Sequence, residues 1–172
     1  MKSYMRMTWN KLKKEDFKKI KIFFSDIDGT LTDGFTYYSE KGEELKRFNH
    51  KDGAGVKLLR DNGIRFGIIT TEDTQIVKRR AEKLKADYCF IGVNDKVLLM
   101  EEFLAKEKLA FSQIAFIGDD VNDLPFLKKV RISFAVNDAL DIVKKNVTHI
   151  CQNRGGYGAF REAVDFIISN IK

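Results

Sequence analysis

The sequence predicts an α/β fold, a Rossmann-like three-layer sandwich around a central parallel sheet. Short β-rich apolar runs alternate with segments of helical period along most of the chain, the pattern of strands joined by right-handed crossovers. Five of the six residues from Ile20 to Ser25 are apolar or small, so this run reads as a strand covered on both faces. It stops abruptly at Asp26-Ile27-Asp28-Gly29, placing acids at the carboxyl end of a strand, where open α/β sheets bind ligands.

The elements follow in order. Phe35–Tyr38 and Glu44–Phe48 are β-rich and flank Ser39-Glu40-Lys41-Gly42, which predicts a hairpin inserted after the first strand. From Asp52 the period becomes 3.6, with Asp52 as an N-cap, apolar Val56, Leu58 and Leu59, and an end at Asn62-Gly63. Ile64–Ile69 is the next buried strand, and a strongly basic helix runs from Thr74 to Leu84. Tyr88–Ile91 is a strand, Asp95–Lys108 a helix, and Ile114–Ile117 a strand that breaks at Gly118-Asp119-Asp120. Ile132–Ala135 and Thr148–Ile150 are short terminal strands, and Gly158–Ile171 is a closing helix.

A chain of 172 residues suits one domain with a full core. Hydrophobic and charged fractions of 44% and 33% describe an ordinary globule. The net charge of +6 is local: residues 1–21 hold eight Lys or Arg against Glu15 and Asp16, and the remainder is neutral. The division is therefore a basic N-terminal arm, 1–19, and a single domain, 20–172. Basicity confined to an arm reads as a solvated, partly helical segment, not as a nucleic-acid or membrane face. The start lacks the apolar run of a secretory leader, no stretch approaches a membrane span, and Cys89 and Cys151 are expected as buried free thiols in a reducing cytoplasm. His50 and His149 stand outside any metal-ligand spacing and read as surface or core residues.

Two carboxylates at a buried strand tip repel each other and lose hydration, so a cation between Asp26 and Asp28 is expected. Oxygen ligands without neighbouring His or Cys point to magnesium. Gly118-Asp119-Asp120-Val121-Asn122-Asp123 crowds three more acids at another strand end, a costly cluster unless a cation or hydrogen bonds compensate.

Asp26-Ile27-Asp28-Gly29-Thr30 resembles the first motif of the haloacid dehalogenase superfamily of phosphoryl-transfer enzymes. Thr70, Lys96 and Gly118–Asp123 match its second, third and fourth motifs. Leu31-Thr32-Asp33-Gly34 and Gly42-Glu43-Glu44-Leu45-Lys46-Arg47-Phe48 are similar to its small phosphatases of phosphorylated 3-deoxy-2-ulosonic sugar acids. The resemblance runs from about Ile20 to near the C-terminus. It implies a capless domain, since larger members insert a cap where the hairpin stands and no sequence is left for one. It implies Asp26 as nucleophile and Asp28 as the acid and base, Thr70 and Lys96 on the phosphoryl group, and Mg2+ on Asp26, the Asp28 carbonyl and Asp119. Asp123 would orient waters and Lys96, with Asp120 accepting hydrogen bonds nearby. The hairpin would pack with its counterparts in a homotetramer, and Gly155-Gly156-Tyr157-Gly158 would reach a neighbour's site.

For the substrate, Arg80 and Lys83 share a helix face and suit a sugar-acid carboxylate, while Glu72 stands where substrate hydroxyls would come. Octulosonate 8-phosphate phosphatases tend to have Gly-Arg in place of Thr71-Glu72. Glu72 with the run Arg79–Lys85 looks more like the relatives acting on 2-keto-3-deoxynononate 9-phosphate or N-acylneuraminate 9-phosphate. Two other readings fit the fold: a catalytically idle assembly domain and a phosphatase of broader specificity.

Overall fold

The computed structural model describes residues 12–172; residues 1–11, the greater part of the basic arm, lie outside the described residues. The order of the main sheet is β5-β4-β1-β6-β7-β8. Its strands are β1 (Ile22–Ser25), β4 (Arg65–Ile69), β5 (Tyr88–Phe90), β6 (Ile114–Gly118), β7 (Ile132–Ala135) and β8 (His149–Ile150). All pairings are parallel, with β1 held between β4 and β6. The hairpin is a separate antiparallel pair, β2 (Thr36–Ser39) and β3 (Gly42–Lys46), with a register irregularity between Tyr37 and Tyr38.

Seven α-helices flank the sheet among the described residues: α1 (Lys14–Lys18), α2 (His50–Asp61), α3 (Gln75–Leu84), α4 (Lys96–Glu107), α5 (Leu124–Lys129), α6 (Asp141–Lys144) and α7 (Ala159–Ile171). The two phenylalanines of β1 show why three layers form. Successive strand residues point to opposite faces. Phe23 meets Phe160 of α7 at 5.2 Å, while Phe24 meets Phe103 of α4 edge-on at 5.9 Å. Each phenylalanine is fully buried, worth about 1.5–3 kcal/mol of apolar transfer. Together they pin the helix layers to the strand that carries Asp26. Residues 14–18 of the basic segment form α1, which packs on α7 through buried Phe17 and its edge contact with Phe166 at 5.7 Å.

The structure departs from the sequence reading at two points. α2 is capped by Asn49, whose side-chain oxygen accepts from the Lys51 N–H at 2.9 Å. Asp52 is not a cap but lies fully buried in the first helical turn, accepting from the Arg161 N–H at 3.0 Å. Cys151 is buried as expected, but Cys89 is exposed, because it sits on the edge strand β5. No described helix is long and apolar enough to cross a membrane.

Candidate active site

Parallel pairing brings the carboxyl ends of β1, β4 and β6 to one edge, and with them the acidic turns. Asp26 follows β1, its N–H donating to the Ile117 carbonyl at 3.1 Å, which ties the turn to β6. The tight turn after it needs Gly29, whose φ of +78° lies in the left-handed region. A Cβ at Gly29 would stand 2.1 Å from Asp119 Oδ2, so the missing side chain is what lets the two acidic loops approach.

Lys96, at the start of α4, reaches the centre of the site. Its ammonium donates to Asp26 Oδ1 at 2.7 Å and to Asp123 Oδ1 at 2.5 Å, and its side chain is 2% exposed. Asp123 is fully buried, and its other oxygen accepts from the Asp119 N–H at 3.0 Å. Asp119 accepts from the Thr30 hydroxyl at 3.1 Å. Carboxylate oxygens of Asp26, Asp119 and Asp123 lie within 4.8 Å of one another. Burial and then the charge of Asp123 raise the Asp26 pKa, while Lys96 opposes the rise. Burial, then Asp26, pushes Asp119 up to about 8. Three carboxylates thus face one ammonium, and the excess negative charge and hard oxygen donors fit a divalent cation such as magnesium. Asp26, Asp119 and the Asp28 carbonyl are the groups that the family resemblance gives to such an ion, and Asp123 holds Lys96 on one oxygen and the Asp119 N–H on the other.

Around this centre opens a cleft lined by Asp26, Asp28, Thr70, Glu72, Asp119 and Asp120, with Tyr38 and Lys46 of the hairpin. Thr70 is 1% exposed at the end of β4, and its hydroxyl oxygen accepts from the Glu72 N–H at 3.2 Å. Asp120 is exposed, its carboxylate accepting from the Val121 N–H at 2.6 Å. Arg80 and Lys83 are not among the residues lining this cleft. They line a neighbouring groove that shares Lys46 with it. Arg80 there donates to the Asn49 carbonyl at 3.0 Å and stacks over Phe48 at 4.8 Å. The Gly155-Gly156 loop lies against its own chain, the Gly156 N–H donating to the Thr30 carbonyl at 3.0 Å.

Sequence reasoning missed Lys46. Its ammonium, on a side chain 2% exposed, donates to both oxygens of Asp28 at 2.8 Å and stands 3.9 Å from Glu72. The signal was a lone lysine at the end of a hairpin strand, eighteen residues from its partner, and only the fold of the hairpin over β1 joins them.

A family model described as haloacid dehalogenase-like hydrolase matches residues 94–158. The 3-deoxy-D-manno-octulosonate 8-phosphate phosphatase of Haemophilus influenzae is 37% identical over 154 residues, 90% of this chain and 86% of that protein. Among solved structures, the same enzyme from Yersinia pestis superposes with a TM-score of 0.87 at 34% identity, covering 92% of this chain and 85% of that one. The Moraxella catarrhalis enzyme, in complex with magnesium, phosphate and 3-deoxy-D-manno-octulosonate, gives 0.87 at 32% identity, covering 91% and 90%.

Proposed function

We propose, from the premise that this chain belongs to the haloacid dehalogenase-like hydrolases and is a phosphatase of that family, that it hydrolyses the terminal phosphomonoester of a 3-deoxy-2-ulosonic acid. The observation that carries the proposal is the convergence of Asp26, Lys96, Asp123 and Asp119 on one cluster beside Thr70 and Asp28.

In this reading an Asp26 oxygen attacks phosphorus, an acyl-phosphate bond forms, and the bond to the sugar oxygen breaks. Asp28 gives a proton to the departing oxygen. It then takes one from the water that opens the acyl-phosphate, releasing inorganic phosphate and restoring Asp26. Lys96 and the Thr70 hydroxyl hold the phosphoryl oxygens, and Asp123 keeps Lys96 aimed. Lys46 donates to both oxygens of Asp28 and so holds its carboxylate in the orientation in which it takes the proton of the attacking water. Magnesium, when bound, would offset the negative charge shared by the phosphoryl group and the carboxylates.

Two substrates compete within the class. The octulosonate 8-phosphate reading is supported by the names of the relatives. The nine-carbon reading is supported by Glu72, which lines the cleft at the position where octulosonate 8-phosphate phosphatases tend to carry Arg. Exposed Phe35, Tyr37, Tyr38 and Leu45 on the hairpin support burial against further copies, read as a homotetramer. The two free thiols agree with action in the cytoplasm.

The deciding experiment is phosphate release from p-nitrophenyl phosphate and from a panel of ulosonic-acid phosphates, with and without magnesium. Expected is magnesium-dependent turnover, fastest on a ulosonate and abolished by Asp26→Asn. No turnover by either protein would leave the idle assembly domain, and equal rates on simple sugar phosphates the broad-specificity enzyme.

A further inference from the structure

A second group of ligating side chains stands apart from the acidic centre, and its donors are of a different kind. His149, on the edge strand β8, Cys151 just after it, and Glu162 in the first turn of α7 bring an imidazole nitrogen, a thiol sulfur and a carboxylate oxygen within 4.8 Å of one another. We propose that these three side chains form a second metal site, for a borderline-soft divalent cation of the zinc class.

The chemistry of the donors selects the ion. Sulfur, nitrogen and one carboxylate suit zinc, whereas the all-oxygen group of Asp26, Asp119 and Asp123 suits magnesium. Zinc bonds of about 2.0–2.3 Å at tetrahedral angles set ligand atoms roughly 3.5 Å apart, so small side-chain movements from the observed spacing close the site. Each donor is also aimed by its surroundings. The His149 ring stacks on Phe166 at 4.4 Å and 14° and meets Phe134 edge-on at 5.6 Å, which fixes its plane. Cys151 is 1% exposed, and its thiol donates to the Ala159 carbonyl at 3.5 Å, a hydrogen bond that the metal bond would replace. Glu162 accepts from the Gln152 N–H at 2.7 Å on one oxygen, and from the N–H and side chain of Asn153 at 2.9 and 2.8 Å on the other. A carboxylate has about four acceptor positions, so a metal bond can be added without losing these. Hydrogen-bonded ligating carboxylates are the usual arrangement around bound metals.

Binding forms bonds to His149, Cys151 and Glu162, leaves the fourth position to water, and releases the Cys151 thiol proton to solvent. The ion ties the edge strand β8 to α7. Glu162 holds residues 152 and 153, and the chain continues directly to Gly155-Gly156 against the Asp26 turn, so the site braces the loop behind the first acidic motif.

The test uses the full chain, stripped with a chelator and titrated with Co2+ as an optical probe for zinc. A near-ultraviolet sulfur-to-cobalt charge-transfer band should grow to one equivalent and be displaced by Zn2+. The band should vanish in Cys151→Ser and persist in Cys89→Ser and in Asp26→Asn, the last separating this site from the acidic centre. In case Cys151→Ser fails to fold, His149→Gln keeps the thiol and should weaken Co2+ binding at least tenfold. Absence of the band from the parent chain, its survival in Cys151→Ser, or unchanged affinity in His149→Gln would each overturn the proposal.

Discussion

Two buried charges set the behaviour of single residues here. Asp52 is sealed in α2, and burial pushes its carboxyl up to about 6 from 3.8, against the lowering influence of the Arg161 N–H and the Arg80 charge. The folded chain therefore holds a proton there that the unfolded chain has released. That stability is fully present below about pH 4 and is lost as pH rises to about 6, by roughly 3 kcal/mol from the linkage between pKa and folding. Denaturant titrations at pH 4 and 7, read against Asp52→Asn, should show the parent losing that amount relative to the variant. A pH-independent difference would contradict it. Lys46 makes the complementary case. Lys46→Met keeps the length and apolar stem but removes both hydrogen bonds to Asp28, so kcat should fall roughly tenfold to a hundredfold, part of what a positioned acid–base group contributes. Lys46→Arg should recover part of the loss. Neither residue was assigned its role from sequence: Asp52 resembled a cap, and Lys46 meets Asp28 only across the folded hairpin.

The legibility of each element followed from how local its cause is. β1, β4 and β6 were readable because strands buried on both faces are nearly continuous apolar runs, and α3 and α4 because Thr74 and Asp95 cap them through their own side chains. The short helices α5 and α6 were not read, since four to six residues give no period to count. The hairpin was read, but not the whole of the apolar surface that it leaves exposed. Phe35, Tyr37, Tyr38 and Leu45 are 69%, 58%, 72% and 63% exposed, an apolar surface on a two-stranded sheet that is marginal by itself. The same element carries Lys46 into the cleft. Tyr37→Ser with Leu45→Ser should therefore shift the sedimentation profile to smaller species and lower kcat along with it. Retained assembly would locate the interface elsewhere, and monomers of full activity would break the link between hairpin and site.

At the scale of the molecule, the first acidic motif was legible as a sequence because its residues are contiguous, but the charge balance of the site was not. It arises from loops some ninety residues apart that are joined by the β1–β6 pairing. Folding brings Asp26, Asp119 and Asp123 together around the ammonium of Lys96, so part of the stability of the fold is spent on repulsion that an ion would relieve. This predicts a crossover. Asp119→Asn keeps an oxygen to accept from Thr30 while removing a carboxyl that burial and the neighbouring acids hold back from ionising until about pH 8. Without magnesium it should melt above the parent. With magnesium at a hundred times its dissociation constant, binding stabilises the parent by about 2.7 kcal/mol, and the order should reverse. Thermal melts of both proteins with chelator and with saturating magnesium provide the check. A variant less stable than the parent under both conditions would mean that the carboxylates are not in conflict, and that the cluster is a hydrogen-bonded support without need of an ion.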